Sequence, residues 1–435
     1  MKKKIIGIFL YGLLTISLVG CMMKTDDVNN DTTTETNTET DTHTDTDTEM
    51  DINNDDNKIP NKYITYVTAK QNNNYENITD IMKSLDINNE NVILSPTSLE
   101  YALGMVALGS DSTTSKALQT YFNNDLSLIS TRHKELMQSY SNYNSCEINL
   151  ANMIYADNNF PIKDSYVSDF QNIYYGDISN EDFQNDYKNV ANNINKFCAD
   201  STNNKIKDII DGDTIKQNNC ILINALYFNG EWESPFDENN IQDTKFNSIN
   251  GEQNIKSLSG IDSKYFETDN SIGFSKYYLG EDFEFIGILP NKEICDENGN
   301  FDISDIDIQA FLDSKTMDYD VMYKMPKFKI ETKNELKNAL MSNGLEILFD
   351  PTQINLTNLS DSIVISDIIQ KTYIEVNEKG TEAAAVTDVE IKTTSSMPEE
   401  KELKEVILDR PFMFMIYDNV NKEILFIGKI VSINE

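Results

Sequence analysis

The sequence contains few of the residues from which catalytic sites are usually built. Histidine occurs only at His43 and His133 in 435 residues, so a nucleophile that depends on a histidine base would have to use one of these two. His43 lies in an almost entirely polar segment, and His133 lies in a polar helical stretch that shows no partner for it. The chain also lacks GxSxG, HExxH, a Walker loop and the dinucleotide-binding glycine pattern. We therefore predict that the protein is not an enzyme and needs no cofactor.

Basic residues are also scarce, since 36 Lys and Arg face 72 Asp and Glu, for a formal net charge of -36. Nucleic-acid binding needs clustered Lys and Arg side chains that contact phosphates, so this class of partner is excluded. The carboxylates are scattered and too numerous for one pair to stand out as an acid and a base. The charge balance therefore favours a soluble acidic domain without a catalytic pair.

Cysteine occurs five times, at Cys21, Cys146, Cys198, Cys220 and Cys295. The last four have no paired spacing and mostly lie in apolar stretches, which favours buried free thiols. One or two disulfides are the alternative if the protein is outside the cell. No metal site is predicted from these residues.

The first 21 residues have the layout of an export signal. Three lysines at positions 2–4 precede an apolar run at 5–20 that is short for a membrane span. The run ends in LVGC at 18–21, which resembles the lipobox of bacterial lipoproteins. The resemblance implies a signal peptide at 1–21, lipidation of Cys21 and attachment to the extracellular face of a bacterial membrane. A plain signal peptide cut near Gly20, giving a secreted protein, is the alternative.

Residues 22–58 are almost all Thr, Asp, Glu and Asn. Such a segment has little to bury and repels itself, so we predict a disordered, extended spacer. The spacer would hold the following domain away from the membrane surface.

From residue 59 onwards the pattern becomes that of a folded domain. Ser95 followed by Pro96 predicts the start of a helix, because apolar residues then recur at helical spacing as far as Ala107. Further predicted elements are helices beginning at 113 or 114, over 186–200 and over 333–341, strands at 148–155, 221–228, 283–289, 322–330 and 372–376, and a hairpin of strands 411–417 and 423–431. No repeat or linker divides residues 59–435, so we predict one α+β domain built on a large mixed sheet.

Residues 378–396 alternate as a strand with two unlike faces. One face carries Thr381, Ala383, Ala385, Thr387, Val389, Ile391 and Thr393, and the other carries Glu382, Ala384, Val386, Asp388, Glu390 and Lys392. Small residues follow Gly380, and the polar run that ends at Pro398 has the composition of an exposed loop. A permanent edge strand, or a short helix capped by Thr381, is the alternative for this stretch taken alone.

The chain from about residue 62 to its end resembles a serpin in several separate stretches. These are 91–109, similar to the first core helix of the family, 222–236, similar to its central strand, 202–206 and 325–328, similar to two further landmarks, 378–387, similar to the hinge of its reactive loop, and 410–430, similar to its C-terminal signature. The resemblance implies a single serpin-like α+β domain at 59–435, with a large mixed β-sheet, helices and an exposed reactive loop at about 378–408.

The resemblance implies a suicide-substrate inhibitor of serine proteases. The protease attacks the loop and forms an acyl-enzyme, and the cleaved loop then inserts into the main sheet as a new strand. The implied hinge comprises Glu378, Gly380, Thr381, Glu382, Ala383, Ala384, Ala385, Val386 and Thr387. A bulky or charged side chain that points inward at the hinge would be desolvated at a cost of about 1–3 kcal/mol. If the loop inserts, we therefore expect the face of Thr381 to point into the core and the charged face to lie in solvent.

Counting along the loop as the family does places the cut bond between Thr394 and Ser395. Threonine before the cut favours an elastase-like or subtilisin-like protease. Cuts at Lys392 or Thr393 are alternatives, and Lys392 would suit a trypsin-like protease.

The resemblance also implies a polar cluster where the sheet opens, formed by Ser95, Ser98, Asn224 and Gln370. Gln370 stands where the family usually has histidine. Glutamine can still bridge hydroxyl and amide groups, but any histidine-based pH sensitivity of the opening would be lost.

The implied partners are a target protease in a covalent complex and a membrane reached through the lipid anchor, with the protein itself a monomer. A non-inhibitory serpin-fold binding protein and an inhibitor of cysteine proteases are the nearest alternatives. A lipoprotein that binds a small solute is a more distant one.

Overall fold

The computed structural model describes residues 75–86, 89–216, 218–382 and 401–433. The predicted signal peptide at 1–21, the lipidation site Cys21 and the spacer at 22–58 lie outside these ranges, so the domain boundaries stay predictions. Within the described ranges, no helix is long and apolar enough to cross a membrane.

Most helices lie in the first half of the described chain. They are α1 Tyr75–Leu85, α2 Pro96–Gly109, α3 Ser112–Phe122, α4 Leu126–Tyr140, α5 Asp164–Tyr174, α6 Tyr187–Ser201, α7 Gly212–Lys216, α8 Ile308–Asp313 and α9 Lys337–Leu340. Short 3₁₀ turns occupy Glu238–Asn240, Lys292–Ile294, Ile303–Asp305 and Glu346–Phe349, and a π-turn spans Met341–Leu345.

Strands become frequent from the middle of the chain onwards. They are β1 Val92–Leu94, β2 Cys146–Asp157, β3 Asp177–Glu181, β4 Cys220–Glu231, β5 Gln242–Ser248, β6 Gly251–Asp262, β7 Tyr265–Glu267, β8 Ser271–Tyr277, β9 Phe283–Pro290, β10 Tyr319–Pro326, β11 Phe328–Glu335, β12 Ile368–Val376, β13 Gly380–Thr381, β14 Glu402–Ile407, β15 Phe412–Asp418 and β16 Glu423–Ile430.

The strands of the described residues form three sheets. The central sheet has the order β11-β12-β13-β4-β2-β3, the second has the order β1-β16-β15-β9-β8-β7, and the third has the order β14-β10-β6-β5. The predicted α+β class with a large mixed sheet is confirmed, because the central sheet combines parallel and antiparallel pairs.

The apolar run at 221–228 forms the middle of β4, as predicted. Nearly every residue of β4 is buried, since the strand lies inside the central sheet and pairs with β2 from Cys220 to Gly230. Helix α2 packs against β4 and β16 and begins as predicted, because the Ser95 hydroxyl accepts a hydrogen bond from the Ser98 amide.

The predicted C-terminal hairpin is also present, as the antiparallel pair β15 and β16. The Asp418 carboxylate closes its turn by accepting hydrogen bonds from the amides of Val420, at 2.8 Å, and Asn421, at 2.9 Å. Burial raises the pKa of Asp418 to about 7.

Three predicted elements differ from the structure. The second helix begins at Ser112 with Asp111 as its cap, not at 113 or 114. The strand predicted at 322–330 is two strands in two sheets, β10 and β11, separated by Lys327. The helix predicted at 333–341 is strand as far as Glu335, because β11 pairs with β12 along its whole length, and tertiary pairing overrides the local helical pattern.

Candidate functional site

The central sheet has an opening between strands β12 and β4. The two strands pair directly only where Ile368 and Ile369 lie beside Leu222 and Ile223. Farther along, β13 lies between them, with Thr381 paired to Val376 on one side and to Gly230 on the other. Since neighbouring strands are spaced by about 4.7–4.9 Å, β12 and β4 are separated by the width of one strand where β13 lies between them. The separation closes at Ile369, where the two strands pair directly. We call the space between these two points the gap, and Gly380 and Thr381 occupy its open end.

The residues that lead into the opening are held by the segment that follows β4. The amide of Trp232 donates to the carbonyl of Lys379 at 2.8 Å, and the amide of Phe236 donates to the carbonyl of Glu378 at 2.8 Å. The Glu378 carboxylate lies 2.5 Å from Nζ of Lys327. Partial burial opposes ionisation, yet the hydrogen bond from Lys327 holds the pKa of Glu378 below its ordinary value. The start of the predicted hinge is therefore anchored on both its backbone and its side chain.

Thr381 points into the core, on the face predicted for it. It is 1% exposed, and its hydroxyl lies 2.5 Å from the hydroxyl of Tyr278. The Tyr278 ring stacks on Trp232 with a centroid separation of 4.6 Å. A Cβ at Gly230, opposite Thr381, would lie 2.9 Å from the Tyr278 ring. Glycine at position 230 therefore lets β4 pass close to the stacked rings of Tyr278 and Trp232, which we call the aromatic floor of the opening.

Glu382 is covered in this structure, although its face is expected to lie in solvent once the loop has inserted. Its side chain is only 4% exposed, and its carboxylate lies 2.5 Å from Nζ of Lys205. Its amide donates to the carbonyl of Glu375 at 2.9 Å. Burial raises the pKa of Glu382, and the hydrogen bond and charge of Lys205 oppose the rise. Lys205, which precedes β4 in the chain, therefore covers the side chain of Glu382.

The polar cluster predicted at the closed end of the opening is largely assembled. The amide of Ser95 donates to Oε1 of Gln370 at 2.8 Å, and Nε2 of Gln370 donates back to the Ser95 carbonyl at 2.9 Å. The Ser95 hydroxyl in turn accepts from the Ser98 amide at 3.2 Å. Gln370 therefore joins strand β12 to the start of helix α2 through two buried hydrogen bonds.

Asn224 is buried nearby but bonds to a residue that the sequence analysis missed. Its Nδ2 donates to Oδ1 of Asn152 on strand β2 at 2.6 Å. Asn152 is a buried amide within the strand predicted at 148–155, and the sequence of that strand, which also contains Asn149, did not single it out. Tyr278 was also missed. The landmark stretches 202–206 and 325–328 contain Lys205 and Lys327, but the sequence did not predict the roles of these two lysines, because the roles depend on contacts across the fold.

Several predicted site residues lie outside the described residues. They are the hinge residues Ala383, Ala384, Ala385, Val386 and Thr387, the cut-bond candidates Lys392, Thr393, Thr394 and Ser395, and the lipidation site Cys21. Their roles stay predictions.

His133 is a buried structural side chain. Its ring stacks on Tyr101 at a centroid separation of 4.3 Å, and its Nδ1 lies 3.3 Å from the hydroxyl of Tyr174. Burial lowers the pKa of His133 to about 3. The sequence showed no partner for His133, whereas the fold supplies two.

The described cysteines are free, as the sequence favoured. Cys146, Cys198 and Cys220 are buried, and Cys295 is partly exposed. In the described part of the chain, no cluster of His, Cys, Asp or Glu could hold a metal ion.

Comparisons with known proteins match most of the chain. Residues 72–433 match the family model described as serpin (serine protease inhibitor). An uncharacterized serpin-like protein of Methanosarcina mazei is 30% identical over 78% of this chain and 81% of its own length. A serine protease inhibitor of Cyanea capillata is 32% identical over 79% of this chain and 92% of its own length. The native crystal structure of tengpin, a thermophilic serpin, superposes with a TM-score of 0.72 at 28% identity, covering 84% of this chain and 96% of tengpin.

Proposed function

Because the chain belongs to the serpin family of protease inhibitors, we propose that it is a suicide-substrate inhibitor that traps a serine protease. The active-site serine of the protease would attack the carbonyl carbon of Thr394. The new ester bond would form as the Thr394–Ser395 amide bond breaks, and the serine proton would pass to the freed amine of Ser395. Insertion of the cleaved loop would then halt the second step, in which water releases the protease.

The observation that carries this proposal is the position of Gly380 and Thr381 between two strands that otherwise part. A cleaved loop that continued from Glu382 would enter the gap between β12 and β4 as a full strand. Each ladder hydrogen bond that it gained would contribute roughly 0.5–1.5 kcal/mol net. Insertion along the whole gap would therefore lower the free energy of the cleaved protein by the sum of these contributions, which favours the inserted state.

The hinge sequence favours an inhibitor over a non-inhibitory serpin-fold binding protein. Ala383, Ala384 and Ala385 follow the seated Thr381, and small side chains can enter the gap without the desolvation cost of a charged group. The binding protein remains the second candidate, because the fold alone does not require insertion.

The target class is proposed from the residue before the cut. Threonine at 394 suits an elastase-like or subtilisin-like protease with a small specificity pocket. The leukocyte elastase inhibitor of Xenopus laevis, 28% identical over 81% of this chain and 96% of its own length, supports the first of these. A trypsin-like protease cutting after Lys392, or a cysteine protease, is the alternative.

We also propose that Cys21 is lipidated, so that the inhibitor is displayed outside a bacterial membrane on the spacer at 22–58. Radiolabelled fatty acid should then enter the wild-type protein in cells but not a Cys21→Ala variant. Equal labelling of both proteins would contradict the anchor.

The experiment that tests inhibition is to mix the purified protein with subtilisin and with pancreatic elastase and to run denaturing gels with mass spectrometry. A covalent complex that survives denaturation is the expected result, and the released C-terminal peptide should begin at Ser395. Clean loop cleavage without any complex would contradict inhibition and favour the binding protein.

A further inference from the structure

The outer face of the third sheet carries exposed apolar side chains close to the end of the reactive loop. Ile261 on β6 pairs directly with Met322 on β10, and Leu403 on β14 pairs with Asp320 one row away. Ile261 is 71% exposed and Leu403 is 55% exposed. Strand β10 lies between β6 and β14, and its residue Met322 is partly exposed. Met322 lies directly beside Ile261 and, since residues on neighbouring rows of adjacent strands are about 7–8 Å apart, also near Leu403. Ile261, Met322 and Leu403 therefore form one patch, which we call the outer patch.

The outer patch is not the ordinary result of strand alternation. The opposite face of the same strands is buried, with Val321, Tyr323 and Val406 at 0–1% exposure. The outward positions of such a sheet are normally polar, and isolated exposed apolar side chains need no explanation. Apolar side chains grouped across three adjacent strands do need one, because exposure of contiguous apolar surface to water is unfavourable and such patches commonly mark interaction sites.

The rim of the outer patch is acidic. Asp320 and Glu405 are exposed on the same face, and no ion pair among the described residues includes either of them. Lys324, the basic residue of this face, donates to Oε1 of Gln242 at 3.2 Å. An apolar centre with a charged rim is the usual plan of a protein interface, and this rim complements a basic partner surface.

We propose that the outer patch is a docking surface for the target protease, which contacts it while bound at the cut bond. The partner surface would be apolar with at least one Lys or Arg, next to the side of the protease cleft that holds the residues after the cut. This inference rests on the proposed function. It adds a determinant of protease choice that the loop sequence does not contain.

Chain length brings a protease bound at the cut bond within reach of the outer patch. Strand β14 begins at Glu402, seven residues after Ser395, so the cut bond lies at most about 25 Å from the start of β14. A protease of about 250 residues has a radius of gyration of about 18 Å. A protease held at the cut bond is therefore large enough to reach Leu403 and the rows beside it.

The test measures the second-order rate constant for complex formation with whichever of subtilisin and pancreatic elastase reacts faster. Three variants are compared with wild type: the double variant Ile261→Ser/Leu403→Ser, the double variant Asp320→Asn/Glu405→Gln, and the control Leu128→Ser. Leu128 is also an exposed leucine, at 49%, but it lies on helix α4, which packs on other helices and β2. Thermal unfolding midpoints establish that each variant is folded.

We expect the apolar double variant to lower the rate constant about tenfold, because loss of one or two anchors at an interface commonly has an effect of this size. The number of inhibitor molecules used per protease should not change, since the hinge is intact. The acidic double variant should weaken the dependence of the rate constant on salt. Leu128→Ser should behave as wild type.

Three outcomes would overturn the inference and are distinguishable from one another. An unchanged rate constant in both double variants, with the covalent complex still formed, would remove the docking surface and leave the proposed function standing. A wild-type protein that forms no complex would remove the proposed function and the docking surface together. A wild-type dimer in sedimentation that the apolar double variant converts to monomer would assign the outer patch to a second copy of the chain.

Discussion

The hydroxyl of Thr381 lies 2.5 Å from the hydroxyl of Tyr278, so the hinge already shares a buried hydrogen bond with the floor of the opening in the central sheet. Tyr278 stacks on Trp232, and the indole Nε1 of Trp232 donates to the carbonyl of Asn377 at 2.9 Å. The stacked pair of Trp232 and Tyr278 therefore contacts the chain at Asn377, before it turns into the opening, and at Thr381, after it.

The Thr381–Tyr278 hydrogen bond should contribute measurably to stability. Tyr278→Phe leaves the buried Thr381 hydroxyl without this partner and should lower the free energy of unfolding in urea by about 1–3 kcal/mol. Thr381→Val should have an effect of similar size. In the double variant neither hydroxyl remains, so its loss should be smaller than the sum of the two single losses. Strict additivity would show that the two hydroxyls are not coupled.

Substitution of Thr381 by arginine should convert the inhibitor into a substrate. The inward face at this position is 1% exposed, so Thr381→Arg would place a charge where insertion begins, and a buried unpaired charge costs several kcal/mol. Denaturing gels with the protease should show cleaved protein in place of the covalent complex. Lys379→Arg is the matched control, because Lys379 precedes strand β13 and already carries a positive charge. This variant should inhibit normally. Retained inhibition by Thr381→Arg would contradict the insertion mechanism.

Gln370 should stabilise the closed end of the opening. Gln370→Leu removes both hydrogen bonds to the backbone of Ser95 and leaves that buried amide and carbonyl without this partner. The free energy of unfolding should fall by about 2–4 kcal/mol in a urea titration. Gln309→Leu makes the same change at an exposed site on helix α8 and should change stability by less than about 0.5 kcal/mol. Equal effects of the two substitutions would show that the hydrogen bonds do not stabilise the fold.

Glu100 should make stability depend on pH. It lies on helix α2 in a small cavity that Arg132 and His133 also line. Burial, followed by the charge of Glu423, raises the pKa of Glu100 from 4.5 to about 8. Because the folded pKa lies above the unfolded one, the stabilising contribution of this group is fully present below about pH 4.5 and is lost as the pH rises through about 8.

The expected result is that Glu100→Gln loses less stability than wild type as the pH rises from about 5 to about 8. The measurement is the free energy of unfolding in urea at several pH values across that interval. Glu346→Gln, at an exposed position, should follow the wild-type curve. A wild-type slope in Glu100→Gln would show that other groups carry the pH dependence.

Elements with a strong local signal were predictable. Helix α2 has a serine cap, a proline at its first position and an apolar face, and the turn at Asp418 joins two apolar strands. These signals depend on residues a few positions apart, and here the tertiary structure agrees with them. The run at 333–341 shows the limit of such signals, because its helical spacing yields to the pairing of β11 with β12.

The site was predictable only in part, for the same reason. Ser95, Ser98 and Gln370 were placed together by resemblance to a family, and the fold brings them within hydrogen-bond distance. Asn152 as the partner of Asn224, and Lys205 as the partner of Glu382, could not be inferred. Each pair joins residues more than 70 positions apart. The alternation of polar and apolar residues along a strand shows which face is buried, but it does not show which distant side chain will contact a given residue.

The sequence by itself determined the class of the fold, the inward face of Thr381 and the small residues that follow it, because periodicity, caps and side-chain size are local properties. Only the tertiary structure decided that β12 and β4 part around Gly380 and Thr381, that Glu382 is covered by Lys205, and that Ile261, Met322 and Leu403 share one exposed face. Those features depend on how distant strands are paired and spaced, and the energy of a buried charge or an exposed apolar patch is set by neighbours that the chain brings together only when it folds.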